Sequence, residues 1–473
     1  MLLNISTAGK TNNTSNVISC KENKQSNTTF NHFLNKKCNG GNKDCNKTTK
    51  GANTYKHREN AKEDLPWSIV SNSLAFDEFL SKLGWTRTHD GDKSDMGDNS
   101  IVHLEMMAEL NKRKLAIKYH DADDIGEILN KCKSKSSWAW IGNYRPLSNK
   151  WMLSSILDNI TNKNNERFHC RGWTLSSSHT VKNTKVYKSI GSIIKDIKAH
   201  ELRQKQNNNI NDWLPGDGYY IKNGATMSGG GENIKFVTSL KALENYLQEW
   251  LNGKRRHKKL NAFVLVQQAI ANRRRMVFQS SIFELRVMCV ITGGAGSAQG
   301  EFEETTLIEP GSVYVHDQMR VKTLPFELKT NNSNCNLSVE IANQEGVLLN
   351  KRQIMKQRNT RTSWHFHEMI DAMNENDKHL IKNITIPKII NAMASTASSC
   401  CHSHGILPNK TIIVAAFDFI IDCNGNPMLL EVNVKPWLRW CGVRTREAYP
   451  DVAARVIAED FLHDFLRLFD NDR

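Results

Sequence analysis

The segment Phe417-Asp418-Phe419-Ile420-Ile421-Asp422-Cys423-Asn424-Gly425-Asn426-Pro427-Met428-Leu429-Leu430-Glu431-Val432-Asn433 constrains this chain more than any other. Two apolar runs flank Asn424-Gly425, a pair whose residues both tolerate positive φ, so the pattern predicts a β-hairpin. With Asn424 and Gly425 as the loop, Asp418 stands opposite Glu431. Asn433, two residues on, shares that face. Pro427 could add a bulge and change the register. Two carboxylates and an amide oxygen on one face form an oxygen-only set suited to Mg²⁺ holding substrate phosphates. The same alternation fits an exposed polar strand face, and the hairpin alone does not choose between them.

Two further segments carry compatible chemistry. Residues 219–222 read as a strand ending in Lys222, followed by Asn223-Gly224-Ala225-Thr226-Met227-Ser228-Gly229-Gly230-Gly231 and a second strand at 234–237. Consecutive glycines let backbone N–H groups approach an anion closely, and Lys222 adds a cation. The spacing matches neither the P-loop nor the dinucleotide-binding pattern, and a plain flexible hairpin loop also fits. In Phe283-Glu284-Leu285-Arg286-Val287, apolar and charged residues alternate. Glu284 and Arg286 therefore share a face, as a metal or water ligand beside an anion clamp, or as an exposed ion pair.

At 473 residues the chain can hold two or three domains. Lys and Arg outnumber Asp and Glu by 64 to 49, and residues 1–62 hold 11 basic and 3 acidic residues together with 13 Asn. That tail cannot bury enough apolar surface to offset its ordering entropy, so disorder is expected there. The remaining positive charge suits an acidic polymer. The apolar run at 412–421 is interrupted by Asp418 and is too short to span a bilayer, while MLLNISTAGK lacks the pattern of a secretory signal. A cytoplasmic protein with no membrane contact and reduced cysteines is the expectation.

Order is expected from Pro66-Trp67, with a helix over 74–83 ending at Gly84 and a strand at 138–141. Ser148 would cap the next helix, and residues 165–222 form a small α/β unit. Further helices are expected at 239–251, 363–373, 385–400 and 451–469, and strands at 262–268, 282–290, 412–422 and 428–434. These elements indicate an α+β or mixed α/β fold. The domains read as a disordered tail 1–62, an N-terminal α/β domain 63–150, a central unit 151–238 with the glycine loop, and a C-terminal unit 239–473.

Taken together, these motifs resemble the tubulin–tyrosine ligase family of ATP-grasp enzymes. The likeness runs in order over roughly residues 72–440. Ser148-Asn149-Lys150-Trp151-Met152-Leu153 is similar to the family's N-terminal lysine motif, and Lys222 with its glycines to the strand and loop over ATP. Val264-Leu265-Val266-Gln267-Gln268-Ala269-Ile270 resembles the strand leading into the adenine hinge. Phe283 to Arg286 resembles the aromatic-acid-x-Arg strand, and the Asp418/Glu431/Asn433 hairpin the metal-binding hairpin. Lys222 is followed by Asn-Gly where the family has proline, and no further arginine motif stands in 293–309.

The resemblance implies an ATP-grasp architecture and an ATP-dependent ligase. It would attach tyrosine, glutamate or glycine to a protein carboxylate through an acylphosphate. Asp418, Glu431 and Asn433 would then hold Mg²⁺. Lys150 and Lys222 would neutralise phosphates beneath Ser228, Gly229, Gly230 and Gly231. Gln267, Gln268, Ala269 and Ile270 would receive adenine, and Arg286, with Glu284 and Lys150, would serve the acylphosphate. The implied partners are a free amino acid and an acidic protein such as the tubulin tail, which suggests microtubules as the site of action.

Lys254-Arg255-Arg256-His257-Lys258-Lys259 and Arg273-Arg274-Arg275 flank the hinge strand, either edging an acceptor cleft or lying on solvated loops. Another ATP-grasp carboxylate–amine ligase, acting on a small molecule or a different protein, is one alternative, and a nucleic-acid-binding protein is the main rival from another class. The latter is disfavoured because aromatic residues are not interleaved with these basic ones. Cys400-Cys401-His402-Ser403-His404 lacks the spacing of a zinc site and reads as a structural helix end.

Overall fold

The structure, a computed structural model, describes residues 2–6, 80–89, 102–106, 116–120, 137–142, 144–164, 167–176, 186–206, 218–223, 234–256, 263–270, 275–279, 281–294, 308–323, 363–404, 407–434 and 452–469. In chain order the strands are β1 (Leu2–Ser6), β2 (Trp85–His89), β3 (Val102–Met106), β4 (Ala116–His120), β5 (Ser137–Ile141), β6 (Gly172–Leu175), β7 (Val186–Tyr187), β8 (Tyr219–Asn223) and β9 (Ile234–Val237). They continue with β10 (Val264–Gln268), β11 (Val277–Phe278), β12 (Ser281–Thr292), β13 (Ser312–His316), β14 (Arg320–Thr323), β15 (Ser363–His365), β16 (Thr411–Ile421) and β17 (Pro427–Asn433). Among the described residues they form two sheets. The larger runs β1-β13-β12-β16-β5-β4-β3-β2, with β11 and β14 also on β12, β15 on β14 and β17 on β16. The smaller runs β7-β6-β10-β8-β9. With helices packed on both sheets, the fold is mixed α/β, as the sequence indicates.

β16 organises the larger sheet. Its sequence, TIIVAAFDFII, is almost wholly β-branched, aromatic or Ala, and every residue is buried. Alternation sorts its side chains. Ile413, Ala415, Phe417, Phe419 and Ile421 enter one core with Leu153 and Ile156 of helix Lys150–Asn164 and Ile389 and Met393 of helix Ile386–Ala397. On the other face, Ile412, Val414 and Ala416 pack with Trp138, Trp140, Phe461 and Phe465 beneath helix Val452–Arg467. Each large apolar side chain so buried contributes about 1.5–3 kcal/mol.

The smaller sheet is closed on one face by helices Ile190–Gln206 and Leu240–Arg256, whose Ile193, Ile197, Leu243 and Leu247 are fully buried. The two sheets meet where Leu429 N–H donates to Phe168 O at 2.7 Å, beside an apolar cluster of Cys170, Ile270, Ile420 and Met428. Among the described residues, no helix is long and apolar enough to cross a membrane.

Several expectations need correction. Leu2–Ser6, inside the tail expected to be disordered, is a strand paired antiparallel with β13. The average composition of the tail hid this short apolar run. Residues 7–79, with the rest of that tail, lie outside the described residues. β10 hydrogen-bonds between β6 and β8, so the hinge strand joins the sheet of residues 172–237 across the expected boundary at 238. β2 to β5 extend the same sheet as β12 and β16, since β5 pairs parallel with β16. The second helix begins at Lys150 after a short helix Arg145–Ser148, and Asn149, not Ser148, accepts from Trp151 N–H at 3.3 Å. The expected helix at 363–373 opens as β15 before helix Phe366–Ala372. Cys400 and Cys401 are buried in the helical turns Ser398–His404, and burial pushes both thiols far up.

Candidate active site

The hairpin reaches the expected pairing by an unexpected route. Asp422 N–H donates to Asn426 O and Gly425 N–H to Asp422 O, both at 3.0 Å, so the loop is Cys423-Asn424-Gly425. Gly425 takes φ 78°, the left-handed region open to glycine. Ile421 then faces Pro427 and Phe419 faces Leu429, one residue off the expected register. A bulge between Asp418 and Phe419 absorbs Leu430, restoring Asp418 opposite Glu431 and Ala416 opposite Asn433. The longer loop and the bulge cancel.

Asp418 lies in a row of charge that crosses four strands. Arg320 on β14 pairs with Arg286 on β12, Arg286 with Asp418 on β16, and Asp418 with Glu431 on β17. Arg286 Nε and Nη2 donate to the two Asp418 carboxylate oxygens at 2.7 and 2.6 Å, a bidentate clamp. Lys322 Nζ adds a contact to Asp418 Oδ2 at 3.1 Å and reaches Glu284 Oε2 at 3.4 Å. Burial pushes the Asp418 carboxyl up, but Arg286 and Lys322 outweigh it and hold the group well below the usual carboxylate range. Burial also opposes the charge on Glu431, yet Lys150 leads the cations that bring its carboxyl below the ordinary value.

Lys150 and Lys222 reach this row from the other sheet and its neighbouring helix. Lys150 is the first residue of its helix, where the dipole disfavours a cation, and its Nζ sits 3.2 Å from Glu431 Oε2. Close packing fixes that helix. A Cβ on Gly172 would lie 2.0 Å from Ser154 Oγ, and Trp151 stacks on Phe263 at 4.5 Å between ring centroids. Lys222 is buried near the end of β8, as its penultimate residue. Burial first, then repulsion from Lys150, pushes its ammonium down to about 8 against the attraction of Glu431.

The residues expected to receive adenine stand at and just beyond the end of β10, the strand that pairs with β8. Gln267, on the Lys222 face of the small sheet, donates to Cys170 O at 3.5 Å. Gln268 faces the helix-covered side, and its N–H donates to Arg171 O. Ala269 N–H donates to Gly218 O, and Ile270 joins the apolar cluster between the sheets. Ser228, Gly229, Gly230 and Gly231 lie outside the described residues.

Sequence reasoning missed Lys322 and Arg320. The signal was present, since Arg320-Val321-Lys322 alternates as Glu284-Leu285-Arg286 does. It lies beyond the 293–309 interval where an arginine strand was sought. Arginines placed opposite each other repel unless each holds an anion or acceptor. Arg286 holds Asp418, and Arg320 Nε donates to Ser363 Oγ at 2.7 Å. Around this row, Lys150, Lys222, Arg286, Arg320 and Lys322 outnumber Glu284, Asp418 and Glu431 among the described residues. The surplus suits a polyanionic ligand.

The donor set also fits a hard divalent cation. Asn433 Nδ2 donates to Asp418 Oδ2 at 3.2 Å and to Glu431 Oε1 at 3.3 Å, so the three side chains converge. Turning the amide over presents its oxygen instead, giving an all-oxygen set.

Comparison with known proteins bears on this site. Residues 305–466 match the tubulin-tyrosine ligase family. The matched span holds Lys322, Asp418, Glu431 and Asn433, while Lys150, Lys222, Glu284 and Arg286 precede it. A search of curated proteins found no match. Among solved structures, the C-terminal domain of K. lactis Pby1 is similar at 13% identity over 72% of this chain and 78% of that chain, with a TM-score of 0.42. That protein is described as an ATP-grasp enzyme interacting with the mRNA decapping enzyme Dcp2.

Proposed function

We propose that this chain, whose residues 305–466 carry the tubulin-tyrosine ligase family match, is an ATP-dependent ligase that attaches an amino acid to a protein carboxylate. The observation that carries the reading is the charged row, in which converging oxygen ligands stand among a surplus of cations. A carboxylate is a poor electrophile, and both reactants of its activation are anionic. Mg-ATP would transfer its γ-phosphoryl group to the acceptor carboxylate and leave as ADP, and the amine of tyrosine, glutamate or glycine would then displace phosphate from the acylphosphate to form the amide.

Asp418, Glu431 and Asn433 would hold Mg²⁺. Lys150 and Lys222 would neutralise phosphate oxygens, and burial of Lys222 between β10 and β9 keeps its ammonium fixed in direction. Arg286 and Lys322 hold Asp418 in the present geometry and stand ready to steady an acylphosphate. Gln267 and Ile270 would border adenine, with Cys170 and Met428 as its apolar floor. No nucleophilic side chain is required.

The acceptor we propose is an acidic protein tail, of the tubulin kind, in the cytoplasm. The basic sequence from Lys254 to Lys259 and Arg273-Arg274-Arg275 would meet it by long-range attraction.

The test is ATP-dependent incorporation of labelled tyrosine, glutamate or glycine into a Glu-rich peptide by the wild-type chain and by Glu431→Gln. Wild-type incorporation with ADP release, reduced roughly a hundredfold or more in the variant, is expected. An equally active, folded Glu431→Gln chain would remove the hairpin from the mechanism.

A further inference from the structure

β13 and β14 run along the same neighbour, β12, and the chain between them bulges at Asp317-Gln318-Met319. At this bulge, His316 and Asp317 meet Asp464 of helix Val452–Arg467, with one ligand atom from each within 4.8 Å of the others. His316 is fully buried, its ring edge-on to Phe461 at 5.5 Å between centroids. Its Nδ1 lies 3.1 Å from Gln318 O, and because a carbonyl can only accept, Nδ1 carries the proton. Its Nε2 has no hydrogen-bond partner yet points at Asp464 Oδ2, 3.3 Å away without hydrogen-bond geometry. In the neutral tautomer that contact turns the Nε2 lone pair and a carboxylate oxygen toward the same point, where both could ligate one cation.

We propose that His316 Nε2, Asp317 and Asp464 bind a divalent transition metal, Zn²⁺ being the best match, at a site separate from the charged row. One imidazole nitrogen with carboxylate oxygens suits zinc better than Mg²⁺, which takes oxygen ligands alone. The Nδ1–H bond to a backbone carbonyl is the outer contact that fixes the tautomer and ring plane of a metal-bound histidine. The bulge brings the adjacent His316 and Asp317 toward one centre, whereas a regular strand would send them to opposite faces. A metal here would tie the last helix to the strand that continues into Arg320 and Lys322.

The experiment uses the full chain, stripped with a chelator and dialysed against zinc chloride or cobalt chloride. Metal content is then measured per chain, with the visible absorption of Co²⁺ and the melting temperature. About one zinc retained per chain, a rise in melting temperature and a Co²⁺ spectrum are expected. Asp464→Asn should weaken zinc binding at least tenfold and abolish the stabilisation, because a ligand is lost. Asp464 is partly exposed, so this variant carries the test if His316→Gln does not fold. Glu431→Gln should keep the zinc. The proposal is overturned if wild type retains no zinc, which would leave a protonated imidazole facing Asp464. It is overturned equally if Asp464→Asn retains zinc as wild type does, or if Glu431→Gln loses it.

Discussion

The row around Asp418 and the cluster around His316 lie on neighbouring stretches of one β13–β14 path, and their charges are compensated by opposite means. Asp418 is buried yet receives Arg286 twice, Lys322 once and the Asn433 amide. His316 is equally buried but its Nε2 receives nothing. Side-chain cations fill the first site, so a metal or phosphate entering it must exchange partners with Lys322, Asn433 or Lys150. Such exchange suits a ligand that comes and goes. The second site brings one imidazole nitrogen and two carboxylates together without a side-chain ammonium or guanidinium contact to Nε2, a donor set that suits a resident ion.

Asp418→Ala breaks the first half of this contrast most severely. It strands Arg286 and weakens the hold on Lys322, and uncompensated buried charge costs roughly 3–5 kcal/mol. Denaturant unfolding should report a loss of that size, and a smaller one for Asp464→Asn in the metal-free chain, because Asp464 is more exposed than Asp418. Equal losses would erase the distinction between the clusters.

Lys222 gives the next largest effect, with the opposite sign. Its folded value is pushed down to about 8 from 10.5, so the unfolded chain binds more protons between these limits. The penalty for burying the ammonium is therefore complete below pH 8 and relieved as pH rises toward 10.5. Lys222→Met should stabilise the ligand-free chain at pH 7 by about 2–3 kcal/mol and flatten its pH dependence above 8, while weakening ATP binding. A destabilised variant at pH 7 would mean that Lys222 is held by stronger partners than Glu431.

Lys322→Met is milder, because Arg286 keeps both oxygens of Asp418. A loss of about 1 kcal/mol is expected. Asp418 sits below its ordinary value, so its share of stability is present above about pH 4 and lost as pH falls. Without Lys322 that loss should be smaller and end at a higher pH, which melting curves between pH 2 and 7 would detect. An unchanged acid limb would assign the whole depression to Arg286.

How far the sequence revealed all this depended on the range of each interaction. Asp418, Glu431 and Asn433 were legible because a hairpin is local, and Glu284 and Arg286 because a strand alternates. That Lys150 meets Glu431, and that Lys222 lies close enough to feel both, follows from packing two sheets together, which no spacing encodes. Lys322 was missed because its partners lie far away in sequence, at Glu284 and Asp418. The Leu430 bulge was equally hidden, since an inserted residue in a strand and a longer turn produce the same string of letters. β1 was missed for a statistical reason, five orderly residues inside a segment dominated by Asn and Lys.

β1 also supplies the smallest of these effects and the sharpest separation of the two clusters. It pairs with β13 from Leu2 opposite His316 to Ser6 opposite Ser312, and among the described residues none of these strand partners belongs to the charged row. Removing residues 1–6 bares the edge of β13 and loosens the strand on which His316 stands, but leaves β12, β14, β16 and β17 joined. Edge-strand pairs contribute a few tenths of a kcal/mol each, so a total loss of about 1 kcal/mol is expected. ATP-dependent turnover should survive while zinc retention falls, which paired assays on the same truncated protein would show. Loss of turnover with zinc retained would reverse the assignment, and tie the sheet edge to the row instead of to the bulge.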